Sequence, residues 1–184
     1  MDKFGNIISA YSCTGKTTLG RDKKYADNVI KDLGVSNYRY LLTDEQRAIP
    51  AEALKGTDVR TQNPQFPQNY IDAVIEAAKK YKLVLLAPSP VYLPPLTELG
   101  YEPILVFPAI ECKYEYIERA EQRGNNETFI QQLTEKWEER INERLSMPYK
   151  KIILSKDEYL EDGLLREGYL TEQDLEIFTE AKEK

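Results

Sequence analysis

The chain is predicted to fold as a three-layer α/β/α protein, a parallel five-stranded sheet with helices on both faces. Three observations predict it. Short apolar runs alternate with helix-like segments along most of the length. The run Leu83-Val84-Leu85-Leu86-Ala87 is apolar at every position, as a central parallel strand covered on both faces must be. An early strand, a short loop and a helix opening on Gly15-Lys16-Thr17 also follow in the order of a strand–helix unit.

Taken in order, residues 6–10 read as the first strand, and residues 16–33 as the first helix, closed by Gly34. Tyr38-Arg39-Tyr40-Leu41-Leu42 reads as the second strand. Residues 43–64 are irregular, with Pro50, Gly56 and Pro64 as breakers. Residues 67–81 read as a helix whose apolar stripe is Tyr70, Ile71, Val74, Ile75 and Ala78. Residues 83–87 form the third strand, residues 91–99 a short helix ended by Gly100, and residues 103–107 the fourth strand. A long helical region spans residues 111–122 and 127–145, broken at Gly124-Asn125-Asn126. Residues 151–154 are the fifth strand. The tail is a short acidic segment and a charged helix over residues 171–184, with Thr171 as its cap and acids in the first turn.

Composition narrows the function classes. At 184 residues the chain has room for one domain, 1–184, with a sizeable core. Its 41% hydrophobic and 30% charged residues are the balance of a globular protein. The net charge of −6 argues against a general nucleic-acid surface. No apolar run reaches membrane-span length, and no charged-then-apolar leader opens the chain, so no membrane partner is expected. Cys13 and Cys112 lack metal spacing and read as reduced thiols, which suits the cytoplasm. Histidine is absent, which excludes Ser-His-Asp hydrolysis, His-ligated zinc and imidazole acid–base chemistry. Phosphoryl transfer needs none of these, because it works by positioning and charge stabilisation.

The segment Ala10-Tyr11-Ser12-Cys13-Thr14-Gly15-Lys16-Thr17 carries the chemistry. It is the phosphate-binding pattern G-x-x-x-x-G-K-[ST] with Ala10 in place of the first glycine. Backbone N–H groups of Ser12, Cys13, Thr14, Gly15, Lys16, Thr17 and Thr18 can converge on a phosphate chain. Gly15 permits close approach, Lys16 offers a mobile charge to the β- and γ-phosphates, and Thr17 a hydroxyl for Mg²⁺.

Arg119 and Arg123, four residues apart before a glycine break, share one helix face. They suit phosphate oxygens as part of a lid over about residues 115–135; alternatively Arg119 simply pairs with Glu115 on a solvated face. Asp44 follows the second strand at the edge where open parallel sheets bind ligands. It would orient or deprotonate an acceptor or hold Mg²⁺ through water, or else cap a short helix at 45–49. Asp58 and Arg60 are weaker candidates for acceptor contact. One acid is missing: the third strand runs into Ala87-Pro88-Ser89-Pro90, where P-loop proteins commonly carry a metal-binding Asp.

Residues 6 to about 160 resemble the small P-loop kinases of the P-loop NTPase superfamily, such as adenylate, shikimate and gluconate kinases. The chain is most similar to an adenylate-kinase-like group of bacteriophages, through Ile7-Ile8-Ser9-Ala10, Thr14-Gly15-Lys16-Thr17, the run from Asn63 through Pro67 to Ile71, Tyr116-Ile117-Glu118-Arg119, Arg123-Gly124 and Trp137. The resemblance implies a sheet order 2-3-1-4-5, ATP on the loop and Arg119 and Arg123 at a lid. It also implies an acceptor side over about residues 43–70, with Asp44 near the acceptor. The missing acid is similar to the gluconate-kinase branch.

The expected function is therefore a phosphotransferase moving the γ-phosphoryl of Mg·ATP to a small acceptor, a nucleoside monophosphate first. Lys16, Asp44, Arg119 and Arg123 are its expected catalytic residues, Thr17 its metal ligand and Thr18 its contact to the α-phosphate. A small-metabolite or nucleoside kinase and a non-catalytic nucleotide-binding module are the alternatives.

Overall fold

The computed structural model describes residues 6–22, 24–49 and 60–175. Five parallel strands form the main sheet. Strand β1 (Asn6–Ala10) lies at its centre and is buried along nearly its whole length. It leads through a tight loop into α1 (Lys16–Leu19), a single turn of helix. Turns then carry the chain to the edge strand β2 (Ile30–Asp32).

Here the structure corrects two expectations. The helix expected over residues 16–33 stops after Leu19, and its last residues are β2. The second strand expected over residues 38–42 is split between α2 (Ser36–Arg39) and β3 (Tyr40–Leu41), and neither belongs to the main sheet. The causes are local. Gly20 and Asp22 are poor helix formers, and so are Asp27 and Asn28. The stretch between them is tied elsewhere: Ala26 N–H donates to the Asp174 carbonyl at 3.1 Å, and the Tyr25 hydroxyl donates to the Glu161 carboxylate. The buried side chains of Tyr25 and Val29 anchor it in the core.

Helix α3 (Asp44–Ala48) opens on a capping box in which Thr43 and Gln46 exchange hydrogen bonds at 3.1 and 3.2 Å. The cap is thus Thr43, with Asp44 in the first turn. This helix and β4 (Thr61–Gln62), which pairs antiparallel with β3, lie within residues read as irregular. Asp58 lies outside the described residues.

The remaining elements follow the periodicity closely. Helix α4 (Gln68–Ala78) buries Tyr70, Ile71, Val74, Ala77 and Ala78. Strand β5 (Leu83–Leu86) is buried at every position. Helix α5 (Leu93–Glu98) starts with prolines in its first turn, and β6 (Ile104–Pro108) is again fully buried. The long helical region is three helices: α6 (Lys113–Gln122), α7 (Glu127–Glu135) and α8 (Trp137–Ser146). Strand β7 (Lys150–Leu154) completes the sheet. Helix α9 (Leu160–Arg166) falls within the tail read only as an acidic segment. Thr171 caps a short 3₁₀ turn over Glu172–Asp174, and most of the expected last helix lies outside the described residues.

The sheet order is β2-β5-β1-β6-β7. Alternate side chains on each strand feed two cores. On one face Ile7, Val84, Leu86, Leu105 and Phe107 pack with α4, α5, α6 and α8. On the other, Ile8, Leu85, Val106 and Leu154 pack with Leu19 of α1 and with Leu160 and Leu164 of α9. Helices thus cover both faces, which is why the central strands are apolar throughout. Among the described residues no helix is long and apolar enough to cross a membrane.

Candidate functional site

The site is built where β1 ends. Tyr11 N–H continues the sheet by donating to the Val106 carbonyl at 2.8 Å, and the chain then turns sharply. Cys13 has a φ of 61° and Gly15 a φ of 94°, both left-handed. Glycine takes that conformation freely, whereas Cys13 is held in it at a cost in backbone strain. Thr14 is completely buried, and its hydroxyl staples the turn by donating to the Tyr11 carbonyl at 2.8 Å. The Lys16 ammonium arches back over the loop, donating to the carbonyls of Ala10 at 2.6 Å and Tyr11 at 2.8 Å. Ala10 itself is fully buried, so its methyl group is absorbed by the core.

Beneath the loop lies an aromatic floor. Tyr11 meets Trp137 edge-on at 5.8 Å and Tyr116 at 6.3 Å between ring centroids, and the Arg144 guanidinium stands 4.8 Å from the Tyr11 ring. Trp137 Nε1 donates to the Ile110 carbonyl at 2.7 Å, fixing α8 against the chain after β6.

A cleft of about 590 Å³ opens over this loop. Ser12, Cys13, Gly15, Lys16, Thr17 and Thr18 line it, and Arg119 and Arg123 face it from α6 and its C-terminal cap. Seven residues named from the sequence as nucleotide contacts are Ser12 through Thr18; six line this cleft, and Thr14 lines a second cavity of about 460 Å³ behind Gly15. Arg119 makes the ion pair with Glu115 that its spacing allowed, but on a largely buried rather than a solvated face, and it also lines the cleft.

Asp44 does not line the cleft. The acid that does is Asp32, at the carboxyl end of β2. Burial pushes its carboxyl above the usual carboxylate range, opposed by the charge of Lys16, a hydrogen bond with Thr17, and the charges of Arg21 and Arg123. Gly20 makes this placement possible: a Cβ there would lie 2.6 Å from the Asp32 Cβ. Asp32 was missed because residues 30–32 were absorbed into the expected first helix. Val29-Ile30-Lys31-Asp32-Leu33 lacks the strict alternation that marks a half-buried strand, so nothing local announced it.

Three further cleft residues carried no sequence signal: Arg21, Gln122 and Tyr159. The Tyr159 ring packs 3.3 Å from where a Gly15 Cβ would stand, lies 3.9 Å from the Arg119 guanidinium, and borders both cavities. The far wall is residues 33–37 with Ala87. It hangs on α4, since the Tyr70 hydroxyl donates to the Leu33 carbonyl at 2.8 Å and Asn69 Nδ2 to the Tyr38 carbonyl at 2.9 Å. Residues 63–71 therefore support this wall without lining the cleft. Arg60 lies apart, its guanidinium 4.0 Å from the Tyr40 ring.

The arrangement offers an ammonium, three guanidiniums, two threonine hydroxyls and one carboxylate around a single cleft. A hydroxyl beside a carboxylate is an oxygen donor set suited to a hard divalent cation that keeps waters and takes its other ligands from phosphates. Among the described residues no group of three or more acidic, Cys or His side chains forms a metal cage. The chain matches no protein-family model, and no curated protein matches it either.

Proposed function

We propose that the protein is a phosphotransferase that moves the γ-phosphoryl group of Mg·ATP to a small acceptor, with a nucleoside monophosphate as the first acceptor class. One observation carries this reading: Lys16, Thr17, Asp32, Arg119 and Arg123 all line one cleft at the carboxyl ends of the strands. That is where open parallel sheets hold ligands. The five-stranded parallel sheet, in the order β2-β5-β1-β6-β7 with helices on both faces, is compatible with a P-loop-like fold.

Each residue then has a task. Lys16 leaves its two carbonyl partners to meet the β- and γ-phosphate oxygens. Gly15 and the first turn of α1 present backbone N–H groups to the phosphate chain, and Thr18 lies beside the α-phosphate. Thr17 and Asp32 would hold Mg²⁺, which when bound neutralises charge on the β- and γ-phosphates. Asp32 takes the place of the acid missing after β5. Arg119 and Arg123 neutralise the equatorial oxygens as the bond to the β–γ bridging oxygen breaks and the acceptor oxygen bonds to phosphorus. A monophosphate acceptor is already anionic, so no proton has to leave it, which agrees with a chain that has no histidine.

A second reading, a hydroxyl acceptor such as a nucleoside or small metabolite, is favoured by the uncharged far wall of residues 33–37 and Ala87. There Asp32 would take the hydroxyl proton.

ADP release measured across nucleoside monophosphates, nucleosides and sugar acids separates the two. Lys16→Ala should abolish Mg·ATP binding in calorimetry while circular dichroism shows the fold intact. Undiminished turnover in that variant refutes the mechanism. Mg·ATP binding without ADP release for any acceptor leaves the non-catalytic module as the function.

A further inference from the structure

We propose that Glu115 is the positioning residue of Arg119, locking α6 to the loop between β7 and α9 so that the guanidinium is set before any phosphate arrives. The proposal rests on the phosphotransferase reading. An i,i+4 Glu–Arg pair on an exposed helix face is ordinary surface chemistry. This pair is not exposed: the Arg119 side chain keeps 10% of its accessible surface and that of Glu115 17%.

Glu115 also has a second duty. Its two carboxylate oxygens accept the Asp157 backbone N–H at 3.2 and 3.3 Å, across 42 residues of sequence. The loop reciprocates, since Arg119 Nη2 donates to the Glu158 carbonyl at 3.1 Å and the Tyr159 ring covers the guanidinium at 3.9 Å. The Tyr116 ring lies 4.8 Å away. That loop is itself braced: Ser155 N–H donates to Glu158 Oε2 at 2.7 Å, and Arg166 pairs with the Glu158 carboxylate.

Arg119 is therefore held by an acid, a carbonyl and two rings, while its Nη1 is buried with no hydrogen-bond partner among the described residues. The same side chain lines the cleft. A guanidinium fixed in advance pays its ordering cost before the reaction rather than during it.

Charge alone would act the other way. A carboxylate beside a polyanion site repels it, so its neutralisation should tighten nucleotide binding unless Glu115 acts through geometry.

Binding of Mg·ADP with and without aluminium fluoride, a stand-in for the transferring phosphoryl group, reads this out by calorimetry. The proteins are wild type, E115Q, R119A and the double variant, with E115D as a second probe that keeps the charge and shortens the reach. Wild type should gain affinity from fluoride. E115Q and E115D should lose about ten- to a hundredfold of that gain with Mg·ADP affinity kept or improved. E115Q should cost nothing further in the R119A background, because the residues act as one unit.

A full fluoride gain in E115Q, an equal loss in both backgrounds, or no gain in wild type overturns the proposal. Absence of Mg·ADP binding to wild type overturns the phosphotransferase reading itself and the proposal with it.

Discussion

Gly20→Ala tests the placement of Asp32 without touching a charged group. Gly20 caps α1 with φ −69° and ψ −9°, a right-handed conformation that alanine adopts without strain. Its N–H bond to the Lys16 carbonyl at 2.8 Å survives the substitution. What changes is space. The new Cβ would stand 2.6 Å from the Asp32 Cβ, 3.3 Å from the Lys16 carbonyl oxygen and 3.5 Å from the Asp32 nitrogen. Carbon atoms rest about 3.5–4.0 Å apart, so the end of β2 must retreat by roughly 1 Å. Overpacking of this kind costs about 1–3 kcal/mol. A 1 Å misplacement at a reacting centre costs about 10²-fold in rate. Urea unfolding should therefore show a lower midpoint at unchanged slope, and acceptor-dependent ADP release should fall by about two orders of magnitude. An unchanged midpoint would mean that the contact relaxes without cost. A lowered midpoint with full turnover would remove Asp32 from the chemistry.

Two further outcomes are expected. Asp32→Asn should stabilise the ligand-free protein at neutral pH while lowering turnover. The sign follows from the raised carboxyl: the folded state binds the proton more tightly than the unfolded chain, so ionisation costs stability. That cost is absent below the ordinary aspartate range and complete above the raised value, so the wild type should lose stability relative to the variant as pH rises between them. Denaturant melts across acidic to neutral pH check this, and parallel curves for the two proteins would refute it. Thr14→Val removes the hydroxyl that donates to the Tyr11 carbonyl at 2.8 Å but leaves that carbonyl its bond from Lys16. The loss should be about 1 kcal/mol in urea melts, and a loss several times larger would show that the hydroxyl alone holds the turn.

Much of the fold was legible because its signals are local. Gly15-Lys16-Thr17 fixed the loop, the unbroken apolar runs at β5 and β6 marked central strands, and the stripe of α4 gave its buried face. The arginine pair could also be read, because four residues of helix put Arg119 and Arg123 on one side. What stayed hidden depended on contacts far apart in sequence. The three residues of β2 are a strand because β5 offers them partners, Ile30 beside Leu83 and Asp32 beside Leu85. No local pattern distinguishes them from the end of a helix. Asp44, chosen for following an apolar run, lost its place when that run turned out to lie outside the main sheet. Tyr159 reaches the cleft only because α9 packs against α1, a pairing that no periodicity near residue 159 announces.

One bond ties the loop after β1 to a segment far along the sequence: Leu160 N–H donates to the Thr14 carbonyl at 2.8 Å. During synthesis at about 5–20 residues per second, the ribosome makes residue 14 on the order of ten seconds before residue 160. Until then the turn lacks the wall that α9 provides, and Gly15 lacks its aromatic cover. A nascent chain would thus emerge with this loop complete in sequence and unfinished in shape, and the proposed nucleotide site should take form only once residue 160 has been made.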